Sequence, residues 1–256
     1  MEKEIFLKEF YDKGVVFVQN VLDEDDIEIL KNELIKAINL ENKKYNNKPN
    51  FNYGMVLLCC LYDIIFSNIF ENKNLMNPFE WVLGENCIVY AYTSSSMPPN
   101  GSNFSTRIHV DSPRIIPNYI TNMGATICLD DFNEKNGATW FLPNSQDYID
   151  QPNEKIFFEN SKRFISKKGG VAFFNARTWH SGGKNLTNEW RHALTINMVR
   201  PWMKQRIDIP NAMGELHFNS MTDKTKQKLG YFNQVPNNYD EYYLPKKLRK
   251  YKNENE

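Results

Sequence analysis

Apolar positions at the start of the chain recur at helical spacing. Residues 2 to 12 carry Ile5, Phe6, Glu9 and Phe10 in such a pattern, and Gly14 ends it before Val15 to Val18, a short apolar run that reads as a buried strand. Asp23 is a candidate N-cap for a helix over residues 24–40, in which Ile27, Leu30, Leu34 and Ile38 form one stripe. A polar, Asn-rich stretch at 42–53 reads as a surface loop, and 55–70 and 77–83 read as helical. From Cys87 the texture changes to short runs of β-branched and aromatic residues between Gly, Pro, Asn and Asp clusters. These runs are 87–92, 107–111, 124–131, 138–143, 163–167, 169–175 and 192–200.

Many short strands with turn residues between them predict a mainly β fold with flanking α-helices, a sandwich, jelly roll or barrel rather than a doubly wound parallel sheet. The expected organisation is one domain over 1–256: a helical preface at 1–85, a strand-rich core at 86–200 and a C-terminal extension at 201–256. No internal repeat is visible.

Composition narrows the partners. Lys plus Arg and Asp plus Glu are equal at 31 each, so no global field draws the chain to nucleic acid or an anionic membrane, and a small-molecule substrate is expected. With 41% hydrophobic and 14% aromatic residues a sizeable core is affordable. Cys59, Cys60, Cys87 and Cys128 form no C-x-x-C pair and sit in apolar runs, which suits buried thiols in a reducing compartment. The charged N-terminus lacks the apolar segment of a secretory signal, and the longest apolar run, 55–66, is broken by Asp63 and too short to span a bilayer. The expected location is cytoplasmic. The basic run at 246–252 reads as solvated surface, and oligomeric state has no signature.

The chemistry centres on "RIHVDSP" at 107–113. On a strand, residues i and i+2 share a face, so His109 and Asp111 present an imidazole and a carboxylate side by side while Val110 packs on the opposite side. An H-x-D pair alone is a common chance pattern. His180, after the apolar run 171–174 and before a Gly-rich turn, is the best third donor. Two imidazoles and one carboxylate leave coordination positions open, the arrangement of non-haem Fe(II) sites that activate O2. Eleven residues on, Arg191 shares a face with Ala193, Thr195 and Asn197, and its planar fork suits a carboxylate of a dicarboxylic cosubstrate.

The ordered segments "HVD" at 109–111, "LDDFNEKNGATWFLPNSQ" at 129–146 and "GGVAFFNARTWHSGGKNLTNEWRHALTINM" at 169–198, with the N-terminal "FLKEFYDKGVVFVQNVLDEDDIEILKNEL", resemble the phytanoyl-CoA dioxygenase family. The resemblance covers most of 4–200 and implies a double-stranded β-helix, a cupin-like jelly roll, with Fe(II) and 2-oxoglutarate as cofactors. It implies His109, Asp111 and His180 as iron ligands and Arg191 as the anchor of the 2-oxoglutarate distal carboxylate. Thr126 stands where a tryptophan is common and could offer its hydroxyl to the cosubstrate. The chain departs from the family pattern at "PNSQ" (143–146), where "PGSH" is usual, and at Gly182, where some members have serine. The activity implied is hydroxylation of a small metabolite or natural-product intermediate by O2, with release of succinate and CO2. No basic surface suited to a CoA thioester is evident, and Arg107 and Arg114, flanking the H-x-D pair, are the nearby cations. The competing reading is a jelly-roll metal protein without oxygenase chemistry, a cupin-like isomerase or a binding module.

Overall fold

The computed structural model describes residues 1–44 and 53–249. Most of the Asn-rich loop at 42–53 and the end of the basic run at 246–252 lie outside the described residues. The architecture mixes α-helices with two antiparallel sheets. The larger sheet has β1 (Val15–Val18), β2 (Ile88–Ser94), β3 (Asn122–Cys128), β6 (Val171–Asn175) and β8 (Ala193–Val199), in the order β1-β6-β3-β8-β2. The smaller has β4 (Trp140–Phe141), β5 (Lys162–Arg163) and β7 (His180–Ser181), in the order β5-β4-β7.

The larger sheet is covered on both faces, which is why its strands read as nearly continuous apolar runs. One face, with Val16, Met123, Ala125, Phe173, Leu194 and Ile196, packs on the helices. There α1 (Lys3–Lys13) contributes Phe6 and Phe10, and α2 (Glu24–Lys44) contributes the stripe Ile27, Leu30, Leu34 and Ile38, all buried. Gly14 ends α1 at φ 73°, a left-handed turn that glycine takes without penalty. Asp23 accepts from the Asp26 amide at 2.9 Å and caps α2 as its position predicts. The other face, with Val15, Cys128, Ala172, Phe174 and Ala193, meets Phe132, Phe141 and Phe164 between the two sheets. All four cysteines are buried free thiols. Among the described residues no helix is long and apolar enough to cross a membrane.

Several expectations are corrected. Residues 55–70 are not one helix: short turns, Cys59–Leu61, Ile65–Asn68 and Ile69–Glu71, follow one another, with Asp63 accepting from the Ile65 amide at 2.9 Å between them. The next helix begins earlier than the apolar pattern, at Lys73, because Asn72 accepts from the Leu75 amide at 3.1 Å and caps it. A helix at Glu154–Asn160, capped by Asn153, interrupts the strand-rich region, and the C-terminal extension holds helices at Ile209–Met213 and Asp223–Leu229.

The segment 107–111 is not a strand of its own. It pairs at one point, His109 with His180, and then the Asp111 and Ser112 amides both turn to the Ala176 carbonyl, at 2.9 and 3.0 Å. Pro113 has no amide with which to resume a ladder. His180 likewise does not end β6. A tight turn, with the Thr178 amide on the Asn175 carbonyl at 2.7 Å, carries the chain into β7 of the other sheet.

Candidate metal centre

The pairing of His109 with His180 builds the site. Each amide donates to the other's carbonyl, at 3.0 and 2.9 Å, so the two residues are directly opposed in an antiparallel bridge and their side chains leave on the same face. The imidazole centroids are 4.2 Å apart. Asp111, two residues after His109, brings its carboxylate to the same side, with Oδ1 at 3.6 Å from His109 Nε2 and 3.8 Å from His180 Nε2. One donor atom from each of the three residues falls within 4.8 Å of the others, a spacing that one metal ion can bridge. Val110 faces away and packs toward Leu142, Phe157 and Trp179, as the alternation predicts.

Hydrogen bonds orient all three donors. His109 Nδ1 lies 2.7 Å from the Arg107 carbonyl and His180 Nδ1 lies 2.9 Å from the Thr178 carbonyl. A carbonyl only accepts, so each Nδ1 carries a proton and each ring turns its Nε2 inward. Asn197 Nδ2 donates to Asp111 Oδ2 at 3.1 Å and leaves Oδ1 toward the imidazoles. The His180 ring is walled by Phe174 and Phe141, with centroids at 4.8 and 5.7 Å.

Electrostatics favour the deprotonated form of two of the three donors, His180 and Asp111. Burial, followed by the charge of His109, pushes His180 down to about 4, so it is neutral at physiological pH. Burial opposes ionisation of Asp111, but the two histidines and Asn197 outweigh it and hold the carboxyl at about 2. His109 is also penalised by burial, and its hydrogen bond and attraction to Asp111 raise it above the ordinary histidine value.

Arg191 faces the same cavity, of about 120 Å³. It is fully buried; burial lowers its pKa to about 10, so it stays cationic. Its Nη2 donates to the Ser95 carbonyl at 2.7 Å, its guanidinium carbon sits 4.3 Å from the centroid of Phe132, and Nε and Nη1 have no partner among the described residues. Buried guanidinium N–H groups left unpaired are costly, and a carboxylate in the cavity would satisfy them.

Sheet register explains the rest of the lining. Thr195 of β8 pairs with Thr126 of β3 on one side and Thr93 of β2 on the other, so three hydroxyls cross the sheet in one row toward the cavity. Thr126 lines this cavity; Thr195 and Asn197 share the Arg191 parity, whereas Thr93 and Ser95 emerge only once β2 is aligned on β8. Thr195 Oγ1 donates to Ser95 Oγ at 2.9 Å. A Cβ at Gly182 would lie 2.7 Å from Ser105 Oγ, so the turn at Phe104–Thr106 occupies the space a side chain there would need. In "PNSQ" Asn144 takes φ 62° and Ser145 Oγ accepts from the Trp179 amide at 2.9 Å, which tethers the loop to the residue before His180. Arg107 stacks over Phe104 at 3.9 Å and Arg114 lines a separate cavity; neither lines this one, but Arg206 does.

Two relatives, named uncharacterized protein Rv1501 of Mycobacterium tuberculosis and uncharacterized protein Mb1539 of Mycobacterium bovis, are each 27% identical over 247 residues, covering 93% of this chain and 90% of theirs. The fold is similar to that of the epimerase SnoN, solved in complex with Fe3+, alpha ketoglutarate and nogalamycin RO, with a TM-score of 0.63 and 17% identity over 78% of this chain and 84% of that one. It is also similar to EvdMO1, with a TM-score of 0.62 and 18% identity over 78% of this chain and 50% of that one. The family model for phytanoyl-CoA dioxygenase matches residues 10–193, and the chain belongs to that family.

Proposed function

We propose that the chain is an Fe(II)- and 2-oxoglutarate-dependent dioxygenase that hydroxylates a small metabolite or natural-product intermediate with O2, releasing succinate and CO2. The observation that carries the reading is the buried Arg191, with two unpartnered N–H groups, in the same cavity as three inward-facing metal donors. Membership of the family supports it, as does the likeness to a solved epimerase holding Fe3+ and alpha ketoglutarate. On this reading the two sheets are the opposed walls of a double-stranded β-helix in one oxygenase domain, with Arg206 of the C-terminal extension beside its mouth.

Bound iron with 2-oxoglutarate supplies the O2-activating redox chemistry; the protein supplies geometry and charge. His109 and His180 offer neutral Nε2 atoms and Asp111 offers Oδ1, each held by the hydrogen bonds described above. Arg191 would hold the distal carboxylate of 2-oxoglutarate through its unpartnered Nε and Nη1 groups, where burial would strengthen the pairing. Thr126 supplies a hydroxyl beside it. Phe174 and Phe141 keep water from the back of His180. The carboxylate at 111 fills the place a halide would take in a halogenating relative, which favours hydroxylation.

Succinate formation, measured with Fe(II), 2-oxoglutarate, O2 and a library of small metabolites, tests the reading. The expected result is substrate-stimulated succinate release with one atom from 18O2 in the product. Succinate at background with Fe(II) supplied would overturn the oxygenase, and coupled turnover without 18O would replace hydroxylation by another oxidation or an epimerisation. A jelly-roll metal protein without oxygenase chemistry predicts stable metal and no affinity for 2-oxoglutarate.

A further inference from the structure

The larger sheet carries one irregularity, and it lies beside the cavity. The register of β2 on β8 shifts between Val89 and Ala91, leaving Tyr90 as an extra residue. A bulge frees backbone groups from the ladder and is often found beside active sites. Two successive residues of the C-terminal extension take up the freed groups: Gln205 Nε2 donates to the Val89 carbonyl at 2.8 Å, and the Arg206 amide donates to the Tyr90 carbonyl at 3.0 Å. Gln205 also donates to the Leu229 carbonyl at 3.0 Å, so this segment is tied to the helix Asp223–Leu229 as well.

The backbone of Arg206 is therefore fixed, while its side chain is exposed and lines the cavity that holds His109, Asp111, His180 and Arg191. Its guanidinium has no hydrogen bond or ion pair among the described residues. Arg191, fully buried, marks the inner end of the cavity and Arg206 the mouth. Half-buried Met55 and Phe104 supply apolar wall.

We propose that the substrate is a small organic anion, a carboxylic acid or phosphate monoester with an apolar body, whose oxyanion group is gripped by Arg206 while the body lies along Met55 and Phe104. The inference rests on the reading above and names its substrate class. The charge balance supports it. With iron(II) and dianionic 2-oxoglutarate bound, the inner charges cancel against Asp111 and Arg191, and Arg206 remains as surplus positive charge where the substrate enters. A guanidinium fork recognises carboxylates and phosphates directionally, which sets orientation as well as affinity.

The test titrates anaerobic protein, loaded with Fe(II) and saturating 2-oxoglutarate, by calorimetry. The probes are phenylacetate, benzoate and hexanoate beside their primary amides, and phenyl phosphate beside phenol. The proposal expects at least one acid to bind about tenfold or more tighter than its neutral partner, the size of a charge-assisted hydrogen bond. Whether that acid is a carboxylate or the phosphate distinguishes the two sources. In Arg206→Gln the preference disappears; in Arg114→Gln, which removes an equal charge outside this cavity, it remains. Acids binding no tighter than their neutral partners in the wild type, including binding by neither, overturns the proposal, and so does a preference that survives Arg206→Gln. Absence of 2-oxoglutarate binding at the loading step is a separate result, which overturns the cofactor reading itself and this inference with it.

Discussion

Asn197 donates from Nδ2 to Oδ2 of Asp111 at 3.1 Å, across from the two imidazoles. The bond selects which carboxylate oxygen faces inward, and it comes from the middle of β8, a strand paired on both sides. The carboxylate is thus oriented by a strand paired on both sides, although the segment carrying it is not a strand.

Replacing Asn197 with Ala removes that restraint. Partners of metal ligands of this kind typically contribute ten- to a hundredfold to affinity, so Fe(II) binding should weaken by about that factor while the urea midpoint moves little. Anaerobic metal titration and a denaturation curve on the same preparation check it. Unchanged metal affinity would show that Asp111 holds its orientation without Asn197.

Gly124 pairs with Phe174 in the sheet, and a Cβ there would lie 2.2 Å from the Phe174 ring. Phe174 in turn walls His180. Gly124→Ala must push the ring toward that histidine, and overpacking of this kind costs about 1–3 kcal/mol. Both the urea midpoint and the metal affinity should fall. A variant with wild-type values for both would show that the ring yields in another direction.

Asp130 accepts from the His192 amide and Nδ1 at 2.7 and 2.8 Å and pairs with Lys31 of α2 at 2.6 Å, tying that helix to the residue after Arg191. Burial opposes its ionisation, but these bonds hold it at about 2. A depressed folded pKa means the stabilisation is present above the unfolded value, about 3.9, and is lost as pH falls toward 2. Asp130→Asn should therefore cost on the order of 2 kcal/mol at pH 7, with the gap to wild type narrowing below pH 4. Urea denaturation across that range measures it, and a gap independent of pH would contradict it.

The sequence made the donors legible because their signals are local. His109 and Asp111 are two apart, and Arg191 shares side-chain parity with Thr195 and Asn197. Strand pairing was not local, so Thr93 and Ser95 went unseen, and Arg206 depends on a bulge that no periodicity announces. The helix at Glu154–Asn160 was missed because it buries one residue, Phe157, too little for a stripe; its signal was the cap at Asn153. Residues 107–111 resembled a strand because alternation is the same whether a segment pairs along its length or only at His109.

The central claim is that three donors and Arg191 together receive one metal ion and one dicarboxylate. Calorimetric titration of 2-oxoglutarate into anaerobic protein, with and without Fe(II), tests it most directly, using wild type and Arg191→Ala. The account predicts one equivalent bound only when Fe(II) is present, with affinity weakened about tenfold or more in Arg191→Ala, since a charged hydrogen bond contributes about 1.5–3 kcal/mol. Absence of binding to the iron-loaded wild type, or equal affinity in the variant, would contradict it.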